Sequence, residues 1–210
     1  MNKQIKERGI IFNGEMVRAI LDGRKTQTRR VIKNQPAGDW PDDPIFVEYG
    51  DNKFKWKSVN YGESSWFDCP FGKVGDRLYV RETFRVHSRA TDVATLAYKA
   101  SERQSWTQQV ARVPIEVCTK QVSPEAWTPS IHMPKAASRI TLEITDIRVE
   151  RLNDISEEDA KAEGAPTECC VIGDKHFLGF RNLWKSIYGK DSWQSNPFVW
   201  VVEFNRVEAA

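Results

Sequence analysis

The chain has 210 residues, of which 40% are hydrophobic and 29% charged, with 12 glycines and 10 prolines. That balance suits a folded globular protein and excludes a disordered or fibrous one. No apolar run approaches the roughly 20 residues of a membrane-spanning helix, and the stretch from Met1 to Arg8 lacks the apolar core of a signal peptide. A cytoplasmic protein of one domain, carrying insertions, is expected. The cysteines Cys69, Cys118, Cys169 and Cys170 follow no disulfide framework, which fits a reducing compartment.

The net charge is only +2, yet residues 1–35 hold nine Lys and Arg against three acids. Arg24, Lys25, Arg29, Arg30 and Lys33 form a local cluster. Such a cluster can neutralise phosphates while the acidic remainder keeps the protein soluble; the plain alternative is a solvated basic turn.

From Asn13, a capping residue type, Gly14 to Asp22 places Met16 with Ile20 and Val17 with Leu21 at helical spacing, and Gly23 ends the helix. Thr26 to Lys33 then alternates as an extended strand, with Thr26, Thr28, Arg30 and Ile32 on one face and Gln27, Arg29, Val31 and Lys33 on the other. Residues 34–75, broken by Pro36, Pro41, Pro44 and Pro70, read as a long excursion. Within it Lys53, Lys55 and Lys57 alternate with Phe54 and Trp56. This is either a basic strand that tracks a nucleic-acid backbone or an edge strand guarded by lysines.

Arg77 to Phe84 reads as a strand whose apolar face, Leu78, Val80 and Phe84, also carries Glu82. A carboxylate among core residues must be paired or used, and Arg77, Arg81 or Arg85 are the expected structural partners. Between Val86 and Ser138 the pattern weakens to strand-like runs at Ala94 to Lys99 and Val113 to Lys120. Arg139 to Glu150 alternates clearly, with a parity change near Asp146 that predicts a bulge or bend. Ser156-Glu-Glu-Asp159 is a capping-box pattern opening a short helix, whose last turn carries Glu163 before Gly164. The helix dipole opposes that charge unless a cation answers it. A longer helix from Asp174 spaces Phe177, Phe180, Trp184, Ile187 and Tyr188 as a core stripe, and Phe198 to Phe204, apolar on both faces, reads as a central strand. The order of elements suggests an α+β mixed barrel with short helices at its ends.

No Walker loop, dinucleotide fingerprint or nucleophile elbow is present, and His87, His132 and His176 are scattered. Cys169, Cys170 and His176 lack zinc-site spacing, so neither a metal nor a cofactor is expected. Lys25 offers a base instead. Crowding by Arg24, Arg29 and Arg30, together with burial in a cleft, lowers a lysine toward neutral pH. Thr28 on the exiting strand then supplies a nucleophile, and Glu163, if brought near, a proton donor. A basic turn holding Lys and Thr also suits phosphate binding.

The stretch Ile20-Leu-Asp-Gly-Arg-Lys-Thr-Gln-Thr-Arg-Arg30, with Gly75-Asp-Arg-Leu-Tyr-Val-Arg-Glu82, Ile140 to Thr145, Ile155 to Gly164 and the terminal strand, resembles an ASCH domain of the PUA-like barrels. The blocks run in the family's order from about residue 10 to 205, with residues 34–70 and 86–135 as insertions, and look most like the longer, often prophage-borne members. The resemblance implies binding of RNA or a nucleoside in a cleft. Small members include acetylcytidine amidohydrolases, whose catalytic Lys, Thr and Glu match Lys25, Thr28 and Glu163. The implied mechanism has Lys25 deprotonating Thr28, Thr28 attacking the acyl carbonyl, and Glu163 protonating the departing amine, with Arg30 on a carbonyl or phosphate oxygen. Two other readings stand beside it. One is a non-catalytic reader of single-stranded or modified RNA, with Arg24, Lys25, Arg29 and Arg30 on phosphates, Glu82 facing the ligand and Trp56 or Trp66 stacking on a base. The other is a ribonuclease.

Overall fold

The computed structural model describes residues 4–38, 42–50, 52–118, 120–167 and 175–207. In chain order the elements are β1 (Glu7–Ile11), α1 (Gly14–Leu21), β2 (Gln27–Val31), β3 (Ile45–Gly50), β4 (Lys53–Ser58), β5 (Gly62–Glu63) and β6 (Phe67–Asp68). There follow β7 (Arg77–Arg81), β8 (Phe84–Arg89), β9 (Val93–Tyr98), α2 (Trp106–Gln109), β10 (Val110–Pro114) and β11 (Thr141–Arg151). The chain closes with α3 (Glu157–Ala162), α4 (Lys175–Tyr188), α5 (Lys190–Gln194) and β12 (Phe198–Val207). The architecture is mixed α+β, as expected; each sheet is an open run of strands, and no closed barrel forms among the described residues. None of the described helices is long and apolar enough to cross a membrane. The chain divides into two compact units, one of Met1–Gly23, Arg77–Glu143 and Arg206–Ala210, the other of Arg24–Asp76 and Ile144–Asn205.

In the first unit the Asn13 side chain caps α1, accepting from the Met16 N–H at 2.9 Å, while Val17, Ala19 and Ile20 are buried. β1 runs parallel to β7, and β7 pairs antiparallel with the first residues of β11. The strand expected over Arg77 to Phe84 breaks at Glu82 and Thr83, after which β8 opens an antiparallel sheet with β9 and β10. The run expected from Val113 to Lys120 sits earlier, at Val110–Pro114, because Pro114 has no N–H to continue the ladder. The core of this sheet gathers Phe84, Val86, Leu96, Tyr98 and Met133 with the free Cys118.

In the second unit the stretch read as an excursion is a small sheet. β4 pairs with β3 on one side and with β5 and β6 on the other. It is therefore an interior strand, which corrects the edge-strand reading. Its alternation is as the sequence indicates: Phe54 and Trp56 are buried, with ring centroids 4.7 Å from Trp200 and Phe198 respectively. β12 lies between β11 and β2, so Phe198 to Val202 are buried without alternation. Along β11 the buried residues step from Leu142 and Ile144 to Ile147, the parity change expected near Asp146.

The capping box of α3 is formed, with Ser156 and Asp159 satisfying each other's backbone N–H groups. α4 carries Phe180 and Trp184 into the core, but Ile187 and Tyr188 are 44% and 40% exposed, against expectation. Trp193 of α5 enters that core instead, 5.8 Å from Phe177. Gly179 meets the Pro166 carbonyl so closely that a Cβ would lie 1.8 Å from its oxygen. Asp174, Cys169 and Cys170 lie outside the described residues.

Candidate functional site

The site is built where β2 begins. Thr26 donates its N–H to the Ala162 carbonyl and accepts from Phe204 N–H, both at 2.8 Å, and Lys25 forms an isolated antiparallel bridge with Glu163. The start of the strand is thereby pinned between the end of α3 and β12. Gly164, at φ 71°, turns the chain directly after Glu163, a conformation that other residues adopt at a cost.

This brings Lys25 and Glu163 together. Lys25 is 2% exposed; its Nζ donates to Glu163 Oε2 at 2.6 Å, to the Glu163 carbonyl at 2.9 Å and to the Gln27 carbonyl at 2.8 Å. Burial pushes the ammonium below the ordinary lysine value, Glu163 pulls it back up, and the Arg30 and Arg29 charges push it further down. The direction is that expected from like-charge crowding, but desolvation is the larger cause. The carboxylate at the helix end thus has the cation its dipole position calls for.

Arg29 is 1% exposed and faces three carboxylates: Glu150 at 3.0 Å, Asp159 at 3.4 Å and Glu163 at 3.5 Å. Its guanidinium is directed at carboxylates, where the sequence suggested phosphate. Arg148 on β11 joins the same network through Asp159 at 3.1 Å and through Glu150 and Glu203. Gln27 donates to the Asp159 carboxylate at 2.9 Å. Partial burial raises the Asp159 carboxyl, but Gln27 and the Arg29 charge hold it below its usual value. Sequence reasoning missed Arg148, Glu150 and Asp159 as members of this network. The signal available was the two-residue spacing of Arg148 and Glu150, which puts both on one face of β11.

Thr28 is fully buried, and its Oγ1 accepts from Arg30 Nη1 at 2.9 Å. Arg30, half-buried, also donates to the Arg29 carbonyl at 3.0 Å. Lys25 also holds the Gln27 carbonyl, which belongs to the peptide group leading into Thr28.

The remaining predicted residues lie elsewhere. Arg24 is exposed just before Lys25. Trp56 is 8% exposed, in the wall of an aromatic core; Trp66 is 47% exposed, with the Lys55 ammonium 4.8 Å from its ring centroid. Lys55 and Lys57 are answered by Glu48 and Glu63, so this face of β4 is a ladder of ion pairs instead of a bare basic strip. Glu82, 1% exposed, is held by Arg139 through Nε at 2.9 Å and Nη2 at 3.1 Å. None of the three arginines expected to pair with it does so in this contact. Arg139 is itself fixed by Ser101 at 2.8 Å and lies 4.1 Å over the Tyr98 ring. Desolvation raises the Glu82 carboxyl and Arg139 opposes the rise. Glu82 also lines a cleft of about 870 Å³ with Asn13, Arg18, Lys99 and Arg103.

No family model and no curated protein matches the chain. Among solved structures it is similar to an ASCH domain from Lactobacillus crispatus, with a TM-score of 0.42 and 11% identity over 96% of this chain and 79% of that one. It is also similar to a DUF984 protein from Enterococcus faecalis, with a TM-score of 0.38 and 10% identity over 99% of this chain and 83% of that one.

Proposed function

We propose that the chain is an ASCH-type protein that binds an acylated cytidine, free or within RNA, and hydrolyses its amide. The observation that carries this reading is the buried 2.6 Å contact between Lys25 and Glu163, joined through one peptide group to a hydroxyl that already accepts from a guanidinium. Moving the shared proton from Lys25 to Glu163 leaves both groups neutral, which burial favours. The Lys25 amine then takes the Thr28 proton as Oγ1 bonds to the acyl carbon. Arg30 faces the charge that develops on oxygen. Glu163 gives its proton to the amine nitrogen as the C–N bond breaks, which frees cytidine and leaves the acyl group as an ester on Thr28. The shared proton moves again from Lys25 to Glu163, and water then attacks the ester, passing a proton to Lys25 while Glu163 protonates the departing Thr28 oxygen and the acid is released. The pair ends as it began.

Mass spectrometry of acetylcytidine, and of acetylated RNA, incubated with wild type and with Thr28→Ala tests the reading. Acetyl loss with wild type alone supports it. The full burial of Thr28 favours a second reading, a non-catalytic reader of a modified base, for which the same incubation gives binding without acetyl loss.

A further inference from the structure

The β2–β12 ladder carries more than the reactive pair. Its register sets Thr28 opposite Val202 and Arg30 opposite Trp200. Cross-strand partners share a face, and residues two apart share it too, so Thr28, Arg30, Ile32, Val202 and Trp200 lie along one side of the ladder. At its far end Ile32 and Trp200 form the wall of a cavity of about 470 Å³, which Trp56 and Phe67 complete. Ile32 stands four residues beyond Thr28, about 13 Å along the strand.

We propose that this cavity receives a nucleobase. The inference rests on the function proposed above, in that the ligand is taken to be a nucleoside or a polynucleotide. The wall is aromatic: the Phe67 ring lies 5.4 Å from Trp56 and 5.8 Å from Trp200, and it is the more open of the three. The rim is polar, with Asn34, Ser65 and Asp68 for the edge of a base and Lys33 for a phosphate. Gln35 fixes the rim, donating to the Ile32 and Phe198 carbonyls at 2.7 and 2.9 Å and accepting from Phe198 N–H at 2.8 Å. Between the cavity and Thr28, on the same face, stands the Arg30 guanidinium, placed for the sugar-phosphate link or the acyl oxygen. The cavity is walled in part by residues 56–70, so the segment read as an insertion gives the site its specificity. The base is either that of the acylated cytidine or that of a flanking nucleotide in RNA.

The test is equilibrium binding of two probes, acetylcytidine and a short single-stranded RNA containing one acetylcytidine, in a Thr28→Ala background so that affinity is read apart from turnover. Phe67→Ala removes the open ring, and Ala37→Trp fills the cavity from its rim should the first variant fold poorly. Each is expected to weaken binding about tenfold, the scale of one lost base stack. Weakening of both probes assigns the cavity to the substrate's own base, and weakening of the RNA alone to a flanking base. Unchanged affinity of both probes in a folded variant overturns the proposal, as does failure of either probe to bind the parent. Failure of the hydrolytic reading appears separately, as intact acetylcytidine with wild type.

Discussion

Lys25 Nζ and Glu163 Oε2 lie 2.6 Å apart, with their side chains 0% and 4% exposed. An ion pair so far from water is held by what surrounds it, and here that includes the Glu163 carbonyl at the end of α3, the Gln27 carbonyl and Arg29. Breaking such a pair by removing one partner leaves an uncompensated charge, at a cost of about 3 to 5 kcal/mol. Glu163→Gln, which keeps shape and hydrogen bonding, is therefore the informative change at this position.

Activity should fall on the alkaline side at a pH below the ordinary lysine value of 10.5, because burial lowers Lys25 and its loss of the shared proton leaves none for the departing amine. The pH dependence of kcat/KM for acetylcytidine measures this limb. A limb at or above 10.5 would remove Lys25 from the proton path.

Binding of single-stranded RNA should show a shallow salt dependence. Lys25 and Arg29 are buried against carboxylates, whereas Arg24 and Lys33 are exposed and Arg30 half-buried, so these three are the members of the cluster that a phosphate can reach. With about 0.7 in the logarithmic slope per contact for single strands, the three give a slope of about −2.1, against about −3.5 were all five to contact phosphate. A titration between low and moderate salt decides between these slopes.

Much of this site is legible in the order of the residues. The helix stop, the alternating strand and the capping box locate Lys25, Thr28 and Glu163 on three pieces of local structure, each fixed by short-range chemistry. The pairing itself is not legible, because it depends on a backbone bridge between residues 138 apart in sequence. The same limit hides Arg139 as the partner of Glu82. Nearby arginines on the same strand look like better candidates, yet the partner comes from the approach to β11. In residues 34–75 proline and glycine mask a real sheet, since β5 and β6 have two residues each and no periodicity to show. Ile187 and Tyr188 continue a helical stripe in sequence, but Trp193 enters that core and leaves them exposed.

Glu82→Ala and Arg139→Ala should each destabilise the protein by about 3 kcal/mol, since each strands a charge in a part-buried site. The double variant should lose clearly less than the sum, by more than about 1 kcal/mol. Denaturant unfolding of the four proteins gives the coupling. Additive losses would mean that the pair does not act as a unit.

Gly179→Ala should destabilise by about 2 kcal/mol or more, because the new Cβ overlaps the Pro166 carbonyl, which is backbone and cannot swing aside. Thermal unfolding reads the loss. An unchanged midpoint would show that α4 can move away from residues 164–166 without penalty.

The most direct measurement is where the acyl group goes. Excess enzyme mixed briefly with acetylcytidine, quenched in acid and digested for peptide mass mapping should carry acetyl on Thr28, with none in Thr28→Ala. Acetyl on the Lys25 amine, or full turnover by Thr28→Ala, would contradict Thr28 as the nucleophile and Lys25 as its base.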